Sequence, residues 1–575
     1  MEKKWVVKAE QDAGKIEVLR NALKVDRIVA ELLLQRGIET FEEAEKFFRP
    51  SLDELHNPFL MKNMDLAVDR LNKAIENNEK ILLFGDYDVD GTTAVALLFG
   101  FLKEYSPSID FYIPDRYDEG YGISFKGIDY AAENGQTLII ALDCGIKALD
   151  KVNYANDKGI DFIICDHHEP GDEIPNCIVL DPKQKDCEYP YKELSGCGVG
   201  FKLLQGFLQN RGEALESLFP FLDLLAISIG ADIVPVTGEN RVLCSHGLKV
   251  LNENPRIAFK ELLEISGKKF PLNLTDVVFI IAPRINAAGR IRSGKMAVDL
   301  MISTDQDEMR RLAKEINDDN LERRDLDKQI TIEAFEQIES NSNYHLRSST
   351  VVFDPTWHKG VVGIVASRLI EKYYRPTIVL TESNGIIGGS ARSVTNFDLY
   401  QALSECEDLL EQFGGHKHAA GMTLKKENLE AFRNRFDLVV KKYLNADSKV
   451  PIQNIDVQID LNEIHGNEDP NKIPRLKRII ESFEPHGPGN MKPVFLTSNL
   501  FARDSRILKE EHLKLKVIQP KSKLAYDAIG FNLAHKEFET ASGIPFEMAY
   551  TLETNEFNGK KSIQFNIKDI RGIEL

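Results

Sequence analysis

From residue 80 to 165 short apolar runs alternate with helical segments, and this rhythm constrains the fold more than any other feature. The strand-like runs are Ile81-Gly85, Asp110-Ile113, Thr137-Leu142 and Asp161-Cys165; between them lie Thr92-Lys103, Phe125-Glu133 and Leu149-Lys158. A helix between two strands makes a crossover rather than a hairpin, so the pattern predicts a mostly parallel sheet covered by helices. In such sheets ligands bind beyond the carboxyl ends of the strands. A helical block follows, from about Val199 to Met301. Asp305 to Ser340 then runs without Gly or Pro, with apolar residues at Leu312, Ile316, Leu321, Leu326, Ile330 and Phe335, which predicts one long helix or two joined ones. A second α/β unit starts near Ser349, with strands at Thr350-Phe353, Thr377-Leu380 and Gly385-Gly389 and helices at Val361-Tyr373 and Leu429-Leu444. After Pro451 only strand-like segments separated by turn signals recur, as a small β-barrel would give.

Composition narrows the class. The chain has 575 residues, 43% hydrophobic and 28% charged, which suits several globular domains and excludes a mainly disordered or collagenous chain. The most apolar stretches are interrupted by Asp223 and Asp232, or are shorter than the roughly 20 residues a membrane helix needs. Met1-Glu2-Lys3-Lys4-Trp5 opens the chain without an apolar signal core, and seven cysteines include no CxxC pair, so the expectation is a cytoplasmic protein with reduced thiols. Net charge is -18, but all except -1 of it falls before residue 451. Acidity at the front is either a solvated surface or partly a set of carboxylates that want cations.

The sharpest motif is Gly85-Asp86-Tyr87-Asp88-Val89-Asp90-Gly91-Thr92, three aspartates at alternate positions directly after a strand. One Asp would serve to cap the next helix; three like charges are costly to desolvate unless a cation compensates them. Two further strand ends carry Asp143-Cys144-Gly145 and Asp166-His167-His168-Glu169, and Asp232 ends an apolar helix-like run. Oxygen ligands with one or two imidazoles suit Mg²⁺ or Mn²⁺ better than a thiolate zinc site. Asp88, Asp90, Asp143 and Asp232 together carry four negative charges, which two divalent ions would balance. Such a pair can support in-line displacement at a phosphodiester.

The block Asp86 to Gly91 with Asp166-His167-His168 resembles the DHH phosphoesterase superfamily. Further blocks, in order, resemble the RecJ family of single-strand-specific DNA exonucleases over nearly the whole chain: Ile113-Pro114-Asp115-Arg116 with Glu119-Gly120-Tyr121-Gly122, Pro283 to Arg290, His358 to Arg368, Gly414 to Gly421 and Pro485 to Asn490. The resemblance implies an α/β DHH domain over 1–304 including an N-terminal extension, a connecting helix over 305–345, a DHHA1-type α/β domain over 346–448 and an OB-like barrel over 449–575. It implies a catalytic set of Asp88, Asp90, Asp143, His167, His168 and Asp232, with two Mn²⁺ or Mg²⁺ ions held by these and Asp86. Where the wider superfamily often has a histidine this chain has Phe84, so Asp86 or water would supply coordination there.

The same resemblance makes Arg116, Arg284, Arg290, Ser390, Arg392, Gly414, Gly415 and His416 substrate-binding residues, with Arg116, Ser390 and Arg392 at a terminal 5′ phosphate. Taken by themselves, Gly414 to Gly421 predict a turn with exposed amides suited to oxyanions. Two domains joined by the long helix are expected to form a cleft narrow enough for one strand. Arg475, Lys477, Arg478, Lys492, Arg503, Arg506, Lys509, Lys514 and Lys516, with Phe483, Phe495 and Phe501, are the expected strand-gripping residues of the barrel region. The activity implied is 5′ to 3′ hydrolysis of single-stranded DNA in repair and recombination, with a single-strand-binding protein and a RecQ-type helicase as partners. The alternatives are an oligoribonucleotide or cyclic-dinucleotide phosphodiesterase, against which the barrel weighs, and a non-catalytic replication scaffold, against which the intact acids and histidines weigh.

Overall fold

The computed structural model describes residues 2–573 apart from 384, 521 and 523. The chain divides into two compact units: residues 11–320 with 475–492, and residues 1–10 with 321–474 and 493–575.

The first unit is built on a five-stranded, fully parallel sheet. Its order is Ile109–Tyr112, Ile81–Gly85, Leu138–Leu142, Asp161–Cys165, Ile178–Leu180. Alternate side chains of each strand point to opposite faces, and both faces are covered. Ile81, Leu83, Ile140 and Ile163 join one core with Val95, Leu98 and Phe201. Leu82, Phe84, Ile139 and Phe162 join the other with Ile128, Ala131, Val152 and Ala155. The helix Val89–Leu102, which follows Ile81–Gly85, lies on the first face; the helix Leu149–Asp157, which follows Leu138–Leu142, lies on the second. Neighbouring strands whose chains leave to opposite faces create a crevice at their carboxyl ends, the topological switch point of a doubly wound sheet.

The predicted long helix is a single one of 34 residues, Gln306–Glu339, which carries the chain from the first unit into the second. Met309, Leu312, Ala313 and Ile316 enter the first unit's core. Ile330, Ala334 and Ile338 pack with Trp357, Val362 and Leu369. The change of partner accounts for the weak amphipathic pattern: no single stripe faces one core along the whole helix.

The second unit holds a five-stranded mixed sheet, ordered Gln412–His416, Ala419–Leu424, Ile386–Arg392, Thr377–Ser383, Thr350–Phe353, in which only the last pair is parallel. It also holds a closed five-stranded barrel of Phe495–Leu508, His512–Ile518, Tyr526–Gly530, Lys560–Gly572 and Phe546–Phe557, closed by pairing of the first with the last. Two chain segments are placed where sequence proximity does not suggest. The strand Lys4–Val7 pairs in parallel with Ile452–Ile455, and Trp5 Nε1 donates to Asp569 at 2.7 Å. Residues 475–492, although they interrupt the strand-rich C-terminal region, pack with the first unit. Among the described residues, no helix is long and apolar enough to cross a membrane.

Candidate active site

The acids of the sequence motifs meet at the switch point. Asp88 is the N-cap of Val89–Leu102 and accepts from the Gly91 amide at 3.0 Å, so the capping role expected of a single Asp is real. Asp90, in the first turn, is buried; its Oδ2 accepts from Gly196 N at 2.7 Å, and its Oδ1 from Cys197 N at 2.8 Å and Ser228 Oγ at 2.7 Å. These bonds come from the starting turn of helix Gly196–Arg211 and from helix Leu222–Ala231, which fix the carboxylate in one orientation. Asp143 leaves the end of Leu138–Leu142 in the left-handed region at φ +61°, uncommon for a residue with a Cβ. A Cβ on Gly196 would stand 2.5 Å from the Asp143 Cβ, so helix Gly196–Arg211 can press against Asp143 only where it carries glycine.

His167 sits at the centre. Its Nε2 is 3.2 Å from Asp143 Oδ1, 3.6 Å from Asp232 Oδ2 and 3.8 Å from Asp90 Oδ2. Ligand atoms of Asp143, His167 and His168 lie within 4.8 Å of one another, as do those of Asp90, His167 and Asp232. Asp232, the C-cap of helix Leu222–Ala231, and His168 are the open members, with side chains 29% and 44% exposed. Asp88 belongs to neither group. Asp86 also belongs to neither; it is buried, and its Oδ1 accepts from Gly122 N at 3.2 Å. Phe84 is wholly buried and stacks on Tyr112, a packing residue.

The electrostatics follow from burying like charges. Burial first, and the neighbouring carboxylates second, push Asp86 and Asp143 well above the usual carboxylate range, raise Asp88, and lift Asp232 to about 8. Burial holds the His167 ring below its ordinary value, and neither of its nitrogens finds a hydrogen-bond partner; Asp143 Oδ1 and Asp86 Oδ2 are likewise without one. Buried polar atoms left unsatisfied at one point, all of them hard oxygens or imidazole nitrogens, fit divalent cations. Asp166 behaves oppositely. Burial would raise it, but the hydrogen bond and charge of His168 outweigh burial and hold it at about 2. Burial would lower His168 in turn, and Asp166 raises it to about 9.

Sequence reasoning gave no specific role to four contributors, although Asp166 and Tyr121 stood within quoted motifs. Asp166 accepts from Ile146 N at 2.8 Å, from His167 N at 2.7 Å and from His168 Nδ1 at 2.7 Å, which orients the His168 ring. Tyr121, half exposed, has its hydroxyl 3.1 Å from His168 Nε2 and 3.3 Å from the Asp143 carbonyl. Ser228 binds Asp90 and, at 2.6 Å, Ser195. Tyr121 stood within a motif quoted for its resemblance, so its aromatic hydroxyl was a usable signal; the two serines offered none.

The predicted substrate residues fall in both units. In the first, the Arg116 guanidinium lies over the Tyr87 ring at 4.9 Å, and Tyr87 meets Tyr121 edge-on. Arg284 donates to Ile280 O at 2.7 Å and to Asn317 at 3.2 Å, while the Arg290 carbonyl accepts from Tyr117. In the second, Arg392 Nη1 donates to Ser390 Oγ at 2.8 Å, and both side chains crowd Gly363 at the start of helix Val362–Tyr373. Gly414, Gly415 and His416 are exposed on an edge strand, Gln412–His416, and the expected turn is confined to Lys417 and His418. The strand's hairpin register with Ala419–Leu424 accounts for this: Gly414 lies opposite Gly421 and Gly415 opposite Ala420. Two of the expected strand-gripping aromatics are core residues. Phe483 is buried against Phe47 and Phe48 in the first unit, and Phe495 is buried beside Tyr550 inside the barrel.

Comparison with known proteins agrees with this geometry. Family models match residues 80–229 as the DHH family N-terminal domain, 347–442 as the DHHA1 domain and 455–569 as the RecJ OB domain. Fold and site thus define a phosphoesterase of the DHH class. A single-stranded-DNA-specific exonuclease RecJ from Bacillus subtilis is 38% identical over 574 residues, covering 98% of this chain and 70% of the relative. One from Dickeya dadantii is 32% identical, covering 94% and 96%. The chain belongs to the RecJ family. Crystal structures of RecJ from Thermus thermophilus in complex with Mn²⁺ and with Mg²⁺ superimpose with TM-scores of 0.83 and 0.78 at 26% and 25% identity, covering all of this chain and 80% and 79% of theirs.

Proposed function

We propose that this chain is a metal-dependent exonuclease that degrades single-stranded DNA from its 5′ end to nucleotides, acting in repair and recombination. The observation that carries the reading is the convergence of Asp90, Asp143, His167, His168 and Asp232 at the switch point, with the imidazole nitrogens of His167 unsatisfied. Asp90, Asp143, His167, His168 and Asp232, with Asp88 and Asp86 alongside, would hold two Mn²⁺ or Mg²⁺ ions. When bound, these ions supply positive charge and Lewis acidity at the scissile phosphodiester and its attacking water.

The remaining steps belong to the chain. Gly196, Cys197 and Ser228 hold the Asp90 carboxylate in one orientation, and Asp166 keeps the His168 ring turned so that Nε2 faces the site. The Tyr121 hydroxyl, 3.1 Å from His168 Nε2 and 3.3 Å from the Asp143 carbonyl, donates at the rim. In the second unit Ser390 and Arg392 are the proposed contacts to the 5′ phosphate and Gly414, Gly415 and His416 to the adjoining backbone; in the first unit Arg116, Arg284 and Arg290 are proposed phosphate contacts, since a guanidinium fork matches phosphate oxygens.

The barrel supports a single-strand substrate. Arg506 stands opposite Lys514 across one antiparallel pair, and like charges in register are unfavourable unless an anion lies over them. A single-strand-binding protein and a RecQ-type helicase are the proposed partners. The test compares linear with covalently closed circular single strands in Mn²⁺. Hydrolysis of the linear strand alone, abolished by chelation, supports the reading; cutting of circles contradicts it.

A further inference from the structure

The helix Leu222–Ala231 ends in an unusual way. Asp232 keeps right-handed backbone angles, and Ile233 then adopts the left-handed region at φ +61°. Glycine or asparagine normally takes that position after a helix, because a Cβ crowds the following carbonyl there and a β-branched side chain crowds it most. Burial often offsets such a cost, but Ile233 is 65% exposed. Neither the backbone nor the core therefore favours isoleucine at this place. What distinguishes the position is its neighbour: Asp232 Oδ2 lies 3.6 Å from His167 Nε2, inside the acid and histidine cluster.

A second irregularity stands beside it. Val277–Ile281 is a π-helical turn, a form that often marks functional sites. It packs on the same helix end, where Val278 lies 3.5 Å from the point a Cβ on Gly230 would occupy. The next residue, Phe279, is 72% exposed. Two backbone irregularities thus present large apolar side chains to solvent on adjoining elements, one of them directly after Asp232.

We propose that Ile233 is a substrate-contacting residue that packs against the nucleobase of the nucleotide at the scissile phosphodiester, with Phe279 continuing the apolar shelf. A phosphodiester held at the carboxylate cluster carries its base on the adjoining sugar, and Ile233 is the exposed apolar residue next to Asp232. An unpaired strand can turn its bases freely toward an apolar side chain, which pairing in a duplex restrains. The contact would contribute to preference for single strands, and it rests on the nuclease reading above.

The experiment uses the full chain, wild type and Ile233→Gly, on an ordinary 5′-phosphorylated strand and on one whose terminal residues lack bases. Thermal unfolding and Mn²⁺ titration accompany the kinetics. The expected outcome is a Tm equal to or above wild type, unchanged Mn²⁺ affinity and a loss of about tenfold in kcat/KM on the ordinary strand. On the baseless strand the two proteins should be equal, and Ile233→Leu should recover most of the loss. Full efficiency of Ile233→Gly on ordinary strands, or equal losses on both substrates, overturns the proposal. Weakened Mn²⁺ binding also overturns it, since Ile233 would then serve the placement of Asp232. A wild type that leaves linear strands intact is a separate result, which removes the nuclease reading itself.

Discussion

His168 Nδ1 donates to Asp166 Oδ1 at 2.7 Å, and this one bond decides which nitrogen of His168 faces the site. With Asp166 held at about 2, its carboxylate can only accept, so Nδ1 carries the proton and Nε2 is turned toward Tyr121 and Asp143. Asp166→Asn places an amide where Ile146 N or His168 Nδ1 must donate. Mn²⁺ affinity should fall about 10- to 100-fold while the circular dichroism spectrum stays that of wild type. Unchanged affinity in calorimetric titration would show that the ring needs no such support.

A second prediction concerns acid stability, away from the metal cluster. His486 is pushed down to about 4, chiefly by burial and next by Lys492. The folded state holds this base neutral, while the unfolded chain protonates it near pH 6.5, so below that pH the unfolded state binds more protons. Stability from this group is therefore complete above about pH 6.5 and declines as pH falls toward 4. Urea midpoints measured from pH 7 to pH 4 should drop less steeply for His486→Gln than for wild type. Parallel curves would mean that His486 is not what limits acid stability.

Much of this was legible in sequence where one residue pattern had one reading. Ile81–Gly85, Phe125–Glu133 and Asp161–Cys165 have the bounds that their apolar periods predicted. The acids at three strand ends converge because a parallel sheet leaves them no other place. What was not legible depended on packing between distant residues. Nothing near Lys4–Val7 announces a partner at Ile452–Ile455. Phe483 and Phe495 have the composition of stacking residues, and only tertiary packing reveals that both are core. In Gly414 to Gly421 a local reading found the turn but not its place: Lys417 and His418 make it, while the glycines lie in the paired strands.

In the barrel, Arg506 and Lys514 face each other across a strand pair. Replacing both with Gln removes an unfavourable in-register pair, so Tm should hold or rise slightly. Binding of a long single strand should weaken, and the salt dependence of log Kobs should become shallower by about 1.4, the change expected when two phosphates of a single strand are no longer neutralised. Fluorescence anisotropy from low to moderate salt reads both. An unchanged slope would take this strand pair off the binding path.

Arg392 tests recognition of the end. It donates to Ser390 Oγ and the Ala391 carbonyl, which orient it. Charge-assisted hydrogen bonds to phosphate are worth roughly 1.5–3 kcal/mol, so Arg392→Ala should cost about 10- to 100-fold in kcat/KM on 5′-phosphorylated strands and less on 5′-hydroxyl strands. Equal losses would move Arg392 to the general backbone path.

Whether the strand-end carboxylates hydrolyse a single strand from its 5′ end is decided by time courses of wild type and Asp143→Ala on the same oligonucleotide labelled at the 5′ or the 3′ end, in Mn²⁺, beside duplex and RNA controls. Wild type should release the 5′ label as mononucleotide from the earliest times while 3′-labelled fragments shorten stepwise. Duplex should be spared, and Asp143→Ala, still folded by circular dichroism, should be inactive. A shortening ladder of 5′-labelled fragments, or hydrolysis by Asp143→Ala within about tenfold of wild type, a difference of roughly 1.4 kcal/mol or less, would contradict this assignment.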